Sequence, residues 1–253
     1  KLNEVAGKFS DEIPEDLDEL FEKACKEMEA LFRLLQGDAD RNFMINLIVK
    51  MMYSMLIDAD RLDAMCFETD EEPERYLHTV EELRTTWKDY RGRFENHIRE
   101  LGCKSDENGD KKTEAEELEA RVNAVRKEIS EECLKAAERE ADIFWLTVLT
   151  GGGKTLSSMR FALRHNQKWE KERIIYVLPF TTIITQNAEV VRRSFSYDCD
   201  LLEHHSNVVE DNKAEDYSLL TERWGNDIIF TTMVQFLNTF YGAGNQDVRR
   251  LHN

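Results

Sequence analysis

Residues 150–155 read Thr-Gly-Gly-Gly-Lys-Thr, set between a short apolar run and a helix-like stretch. Three glycines let a backbone approach a phosphate chain without Cβ clashes. The amides that follow, together with a helix N-terminus, then aim donors at the anion. In such a loop Lys154 neutralises β- and γ-phosphate charge and the Thr155 hydroxyl is a ligand for Mg²⁺. Thr150, Gly151, Gly152, Gly153, Lys154 and Thr155 are therefore the expected phosphate-binding residues. The general phosphate-loop pattern places glycine at position 148, where this chain has Val148. The shorter form, Thr-Gly-x-Gly-Lys-Thr, is the one present.

Two further sets of polar residues follow apolar runs. Pro179, Phe180, Thr181 and Thr182 come after 173–178 (RIIYVL), and Thr231 and Thr232, with Gln235, close the run that starts at Asp227. Hydroxyls and free amides at the carboxyl ends of parallel strands are well placed to hold a nucleic-acid backbone. Taken singly, each is as well explained as a helix cap. Asp58 and Asp60 sit beside an apolar helix, either as solvated acids or with a buried partner. His204 and His205 adjoin Glu203, a poor zinc site without further ligands at suitable spacing. Cys25, Cys66, Cys103, Cys133 and Cys199 are odd in number and widely spaced, which excludes a disulfide framework and fits a reducing cytoplasm.

These residues must be held by two unlike halves. The 253 residues carry a formal charge of −17, which excludes a uniformly basic nucleic-acid coat. Residues 1–140 hold 22 basic and 37 acidic side chains, whereas 141–253 hold 12 and 14 and are close to neutral. The first half reads as helical. One helix is expected from Pro14 to about Gln36, and a second from about Asp40 to Met65, apolar nearly all round and so central to a helical core. Tyr76, Val80, Leu83, Trp87, Tyr90, Phe94, Ile98 and Leu101 form one stripe, and Leu118, Val122, Val125, Ile129 and Cys133 another. Separated by the polar turn 102–112, they predict an antiparallel hairpin in which Val122 and Val125 shield Trp87. Beyond Ala141, the apolar runs 143–149, 173–178 and 227–231 alternate with helical segments, the rhythm of a parallel α/β sheet. No membrane span is expected: the most apolar run, Met44 to Ile57, is short and is broken by Lys50.

The stretches 146–158 (LTVLTGGGKTLSS), 173–190 (RIIYVLPFTTIITQNAEV), 201–208 (LLEHHSNV), 228–236 (IIFTTMVQF) and 249–253 (RRLHN) resemble the first RecA-like domain of a superfamily 2 helicase. Within that superfamily they resemble specifically the CRISPR-associated helicase–nuclease of type I interference systems. Residues 54–68 (SMLIDADRLDAMCFE) resemble the end of the histidine–aspartate (HD) nuclease domain that precedes the helicase in that family. The resemblance implies an α+α/β chain: the C-terminal part of an HD domain over 1–70, a helical linker hairpin over 71–140, and the N-terminal part of a RecA-like domain with a parallel sheet over 141–253. It implies ATP and Mg²⁺ as cofactors, and a divalent transition metal at the HD site with Asp60, or alternatively Asp58, as a ligand. It places Pro179, Thr181, Thr182, Thr231, Thr232 and Gln235 against DNA. The implied partners are single-stranded DNA and an RNA-guided surveillance complex.

The departures are as informative. None of His78, His97, His165, His204, His205 and His252 is followed by aspartate, and no Asp-Glu pair follows Lys154. The resemblance therefore implies a piece that starts inside the HD domain and lacks the carboxylate box and the second RecA-like domain. Such a piece is expected to be inactive by itself. The rival readings are another superfamily 2 helicase without a nuclease, and a non-catalytic helical binding protein with a vestigial phosphate loop.

Overall fold

A computed structural model describes residues 17–34, 37–70, 78–103, 114–205, 223–242 and 244–252. The expected helix start at Pro14, most of the polar turn 102–112 and the end of the 201–208 stretch fall outside these residues. The chain divides into two compact units, residues 1–52 and 53–253. The first holds helix α1 (Leu17–Leu34) and the opening turns of α2 (Asp38–Thr69). The remainder of α2 belongs to the second unit.

Helix α2 corrects the expectation of a central core helix. Met55 is 49 % and Leu56 66 % exposed, and Phe67 is 89 % exposed. Only the stripe Ser54, Asp58, Leu62, Met65 and Cys66 is buried. A helix that is apolar all round needs neighbours on every side, and among the described residues of the second unit only this one stripe has them.

The second unit continues with α3 (Val80–Cys103), α4 (Glu114–Ala136), α5 (Lys154–Trp169), β1 (Ile174–Leu178), α6 (Thr181–Ser194), β2 (Leu201–His204), β3 (Ile228–Thr232), α7 (Met233–Tyr241) and α8 (Asn245–Val248). The strands form a parallel sheet in the order β1-β3-β2. Side chains along β3 alternate between its two faces, as strand geometry requires. Ile228 and Phe230 join the main core, made by Trp87, Tyr90 and Phe94 of α3, Met159 and Leu163 of α5, and Ile184, Ala188 and Val191 of α6. Ile229 faces the other way, onto Leu202, Trp224 and Phe236. Two-sided burial explains why these strands read as continuous apolar runs.

Two expectations are corrected here. Residues 143–149 form no strand. Phe144 packs on Phe161 with ring centroids 5.0 Å apart, but Trp145 is 90 % and Leu149 87 % exposed. A strand exists only through its neighbour's hydrogen bonds, and β1 bonds β3 instead. The second correction concerns the hairpin. Helices α3 and α4 both pack chiefly on α5, the helix that follows the glycine triplet, and little on each other. Arg160 of α5 links all three, donating to both oxygens of Glu95 at 2.7 Å and to Ser130 Oγ at 3.1 Å.

The consequence is testable. Trp87 is buried, but Val122 and Val125 are 37 % and 53 % exposed. Trp87→Ala is expected to destabilise the unit by about 3–5 kcal/mol. The double change Val122→Asp, Val125→Asp should leave helical content and tryptophan fluorescence nearly unchanged. A large spectral shift from that pair would mean the two valines carry packing after all.

Among the described residues no helix is long and apolar enough to cross a membrane. Cys25, Cys133 and Cys199 are free thiols.

Candidate functional site

The glycine triplet folds as a tight turn into α5. Gly151 and Gly153 have φ of +83° and +80°, with Gly152 at negative φ between them. Handedness that alternates in this way turns successive peptide N–H groups toward one side, a concavity suited to an anion. Only glycine adopts such φ values without strain. Gly152 needs its missing side chain for space: a Cβ there would lie 2.4 Å from Val148 Cγ1 and 3.0 Å from the Leu149 carbonyl. Val148, the departure from the general motif, is thus tolerated because a glycine faces it. The N-cap of α5 is Gly153 and makes no side-chain cap bond, so no side chain at the cap competes for the first-turn amides. Those amides and the helix dipole favour a negative ligand.

Lys154 begins the helix and is exposed. The half-buried Thr155 hydroxyl donates to Asn187 Oδ1 of α6, while Asn187 Nδ2 donates to the Ile183 carbonyl at 2.8 Å. The amide is thereby oriented with its oxygen toward Thr155. That places the hydroxyl proton on Asn187 and leaves the oxygen lone pairs for a cation. Ser158, one turn further on, lies 3.1 Å from the Tyr176 hydroxyl, which burial pushes up to about 12. One more residue reaches the loop: Arg126 of α4 donates from Nε to the Gly151 carbonyl at 2.9 Å.

The strand ends meet along one edge. Val177 and His204 flank Thr231, and Leu178 pairs with Thr232, so 179–182, 232–235 and 204–205 emerge together at the carboxyl ends. Pro179 and Thr182 are exposed and Thr181 is half-buried, at the start of α6, whose N-cap Phe180 makes no side-chain cap bond. Thr231 is fully buried, and its hydroxyl donates to the His204 carbonyl at 3.1 Å. Thr232 caps α7 by accepting from the Gln235 amide at 3.2 Å, and Gln235 Oε1 accepts from Arg250 at 3.4 Å. Of the six positions, Pro179, Thr181 and Thr182 present to a surface. Thr231, Thr232 and Gln235 each have the side-chain oxygen engaged within the fold.

His204 packs edge-on against Trp224 with ring centroids 5.7 Å apart. Burial, then the charge of Arg250 and the neighbouring His205, brings its imidazole down to about 4, so it is neutral at pH 7. His205 Nε2 lies 4.0 Å from Glu203 Oε2, and Glu203 is paired with Arg192.

The two candidate HD acids part company. Asp60 is exposed. Asp58 is buried: Oδ2 accepts from Arg223 Nε and Oδ1 from Arg249 Nε, both at 2.8 Å. His252 Nε2 lies 3.3 Å from Oδ2, and its Nδ1 is 2.8 Å from Ser54 Oγ. Burial alone would raise the carboxyl pKa. Hydrogen bonds from His252 and Arg249 and the charges of Arg223 and Arg249 outweigh it and hold the group at about 2. A carboxylate bonded by two guanidiniums does not fit a metal ligand, so Asp58 is corrected from alternative ligand to ion-pair hub. Among the described residues no group of three or more His, Cys, Asp or Glu side chains is arranged to hold a metal ion.

Arg126, Asn187 and Arg223 carry no sequence signal that marks them, and although Arg249 and His252 lie in the stretch 249–253, nothing in it points to Asp58. Asn187 lies within 173–190, but nothing in its spacing distinguishes it, and Arg126 is one of many charges on the polar face of α4. A family model described as DEAD/DEAH box helicase matches residues 127–253. No curated protein matches the chain.

Proposed function

The chain belongs to the DEAD/DEAH box helicase family, and from that premise we propose that residues 150–155 bind the phosphates of ATP·Mg²⁺ in a helicase that acts on single-stranded DNA. The observation that carries this is the alternating φ of the glycine triplet leading into a helix whose N-cap bears no side chain. A triphosphate brings strong negative charge to a place where converging amides and a helix N-terminus favour it. Lys154 then supplies a full positive charge beside the β- and γ-phosphates, and Thr155, its proton engaged by Asn187, offers lone pairs to Mg²⁺. Bound Mg²⁺ would supply charge neutralisation between the phosphate oxygens. Pro179, Thr181 and Thr182, one short turn beyond β1, are the proposed contacts to the DNA backbone.

The finer reading is the CRISPR-associated helicase–nuclease, recruited by an RNA-guided surveillance complex, and the likeness of the stretches within 146–253 supports it. Its nuclease half rests on residues 54–68 alone. Asp60 by itself, with Asp58 committed to arginines, does not fit a metal centre.

The test is nucleotide binding. Titration with a fluorescent ATP analogue in Mg²⁺ should show saturable binding that Lys154→Ala weakens about 10- to 100-fold, the range for losing a charge-assisted contact. Binding that is indifferent to Lys154 would overturn the assignment and favour a vestigial loop.

A further inference from the structure

From the geometry around the glycine triplet we infer that Arg126 is a positioning residue, holding the phosphate loop in its anion-binding form before any nucleotide arrives. This deepens the ATP reading of the same loop and rests on it. Arg126 stands one residue ahead of the segment matched by the family model, 127–253, on a helix that the sequence presents as a linker.

Two contacts define the role. The side chain's stem lies across the third glycine: a Cβ at Gly153 would be 3.4 Å from Arg126 Cγ and 3.8 Å from its Cβ. Its Nε bonds the Gly151 carbonyl at 2.9 Å, while Nη1 bonds Asn123 Oδ1 at 3.0 Å one turn back on α4. The Gly151 carbonyl and the Gly152 amide share one peptide plane, and the Gly152 N–H donates to the Leu149 carbonyl at 3.1 Å. That plane is therefore held at both ends.

Three successive glycines have more conformational freedom than any other tripeptide, so an untethered loop would sample peptide flips. A flip that turns a carbonyl toward the phosphates replaces attraction with repulsion. Arg126 holds the Gly151 carbonyl on the α4 side, and with the Gly152 N–H spent on Leu149 the donors left for an anion are the amides from Gly153 into α5. A loop ordered in advance loses less entropy on binding. The anchor itself is stiff, because α4 packs broadly on α5 and Arg160 bonds Ser130 across that contact.

The experiment uses the 253-residue chain with fluorescent ATP and ADP analogues. Arg126→Met keeps the stem on Gly153 and removes the donors; Arg126→Lys restores one cationic donor. Arg126→Met is expected to weaken ATP and ADP equally, by about 10-fold or more, the scale of one hydrogen bond from a charged donor. Melting of the nucleotide-free chain should not change, and Arg126→Lys should recover most of the affinity. Arg126→Met binding within about two-fold of wild type, while Lys154→Ala still loses affinity, would overturn the inference and leave the ATP reading standing. So would a loss confined to ATP, which would make Arg126 a γ-phosphate ligand, or a Lys variant no better than Met. A lowered melting temperature in the absence of nucleotide would mark Arg126 as structural and overturn it as well. If the unmodified chain shows no Lys154-dependent binding, both readings fall together.

Discussion

Asp58→Ala is expected to destabilise the second unit by about 3–5 kcal/mol, the loss usual when one partner of a buried ion pair is removed. That is a large part of the roughly 5–15 kcal/mol that holds a typical domain together. The carboxylate joins α2 to Arg223 just before β3, and to Arg249 and His252 at the far end of the described chain. Arg249 is fully buried and Asp58 is 3 % exposed, so water replaces little of what is lost. Asp60→Ala, two residues away and exposed, should change stability by no more than about 0.5 kcal/mol. Urea unfolding followed by tryptophan fluorescence reports on both, since Trp224 lies under Arg250 in the same region. Acid provides an independent check. The folded carboxyl sits at about 2 against 3.8 when unperturbed, so the unfolded chain binds the extra proton. Stability from this group is thus complete above about pH 4 and lost as pH falls toward 2, by about 2 kcal/mol. Equal effects of Asp58→Ala and Asp60→Ala would contradict the ion-pair hub.

A polypeptide of these 253 residues is expected to bind ATP·Mg²⁺ yet hydrolyse it no faster than background, with or without single-stranded DNA. Phosphoryl transfer in phosphate-loop enzymes relies on a metal held by the loop hydroxyl and a nearby carboxylate, a positioned water, and arginine stabilisation of the transition state. The arginine alone contributes about 10³–10⁵ in rate. No Asp-Glu pair follows Lys154 in this sequence, and Thr155 is bonded by the neutral amide of Asn187. Arg126, near though it is, spends its Nε on the Gly151 carbonyl. Phosphate release measured with and without DNA checks this directly. DNA-stimulated turnover that disappears in Lys154→Ala would show that these residues suffice for catalysis.

What could be read without a structure was local. The glycine triplet, Lys154 and Thr155 are neighbours in sequence, and their chemistry follows from residue types within one turn. Helical stripes and apolar strand runs are likewise periodic over a few residues, which is why α3, α4, β1 and β3 were legible from 80–136, 173–178 and 227–231. Sequence spacing says which face of a helix is apolar but not what covers it. The stripes of α3 and α4 predicted each other as partners; the two helices instead both pack on α5, and Leu118, Val122 and Val125 of the second stripe stay exposed.

Strand formation at 143–149 failed for a related reason. An apolar run has β-character by itself, but a strand is defined by a neighbour's hydrogen bonds, and β1 bonds β3. Asp58 and Asp60 are indistinguishable in composition and spacing. Only the path of the chain brings Arg223 and Arg249, 165 and 191 residues away, onto one of them and leaves the other in solvent. Arg126 likewise meets Gly151 across 25 residues. The sequence by itself determined the segments of α3, α4, β1 and β3 and the glycine turn that leads into a helix, because those depend on backbone geometry and residue types a few positions apart. The tertiary structure alone decided which acid is an ion-pair hub, which hydroxyls remain on the surface, and which distant side chain braces the loop, because burial and long-range pairing depend on how the whole chain packs.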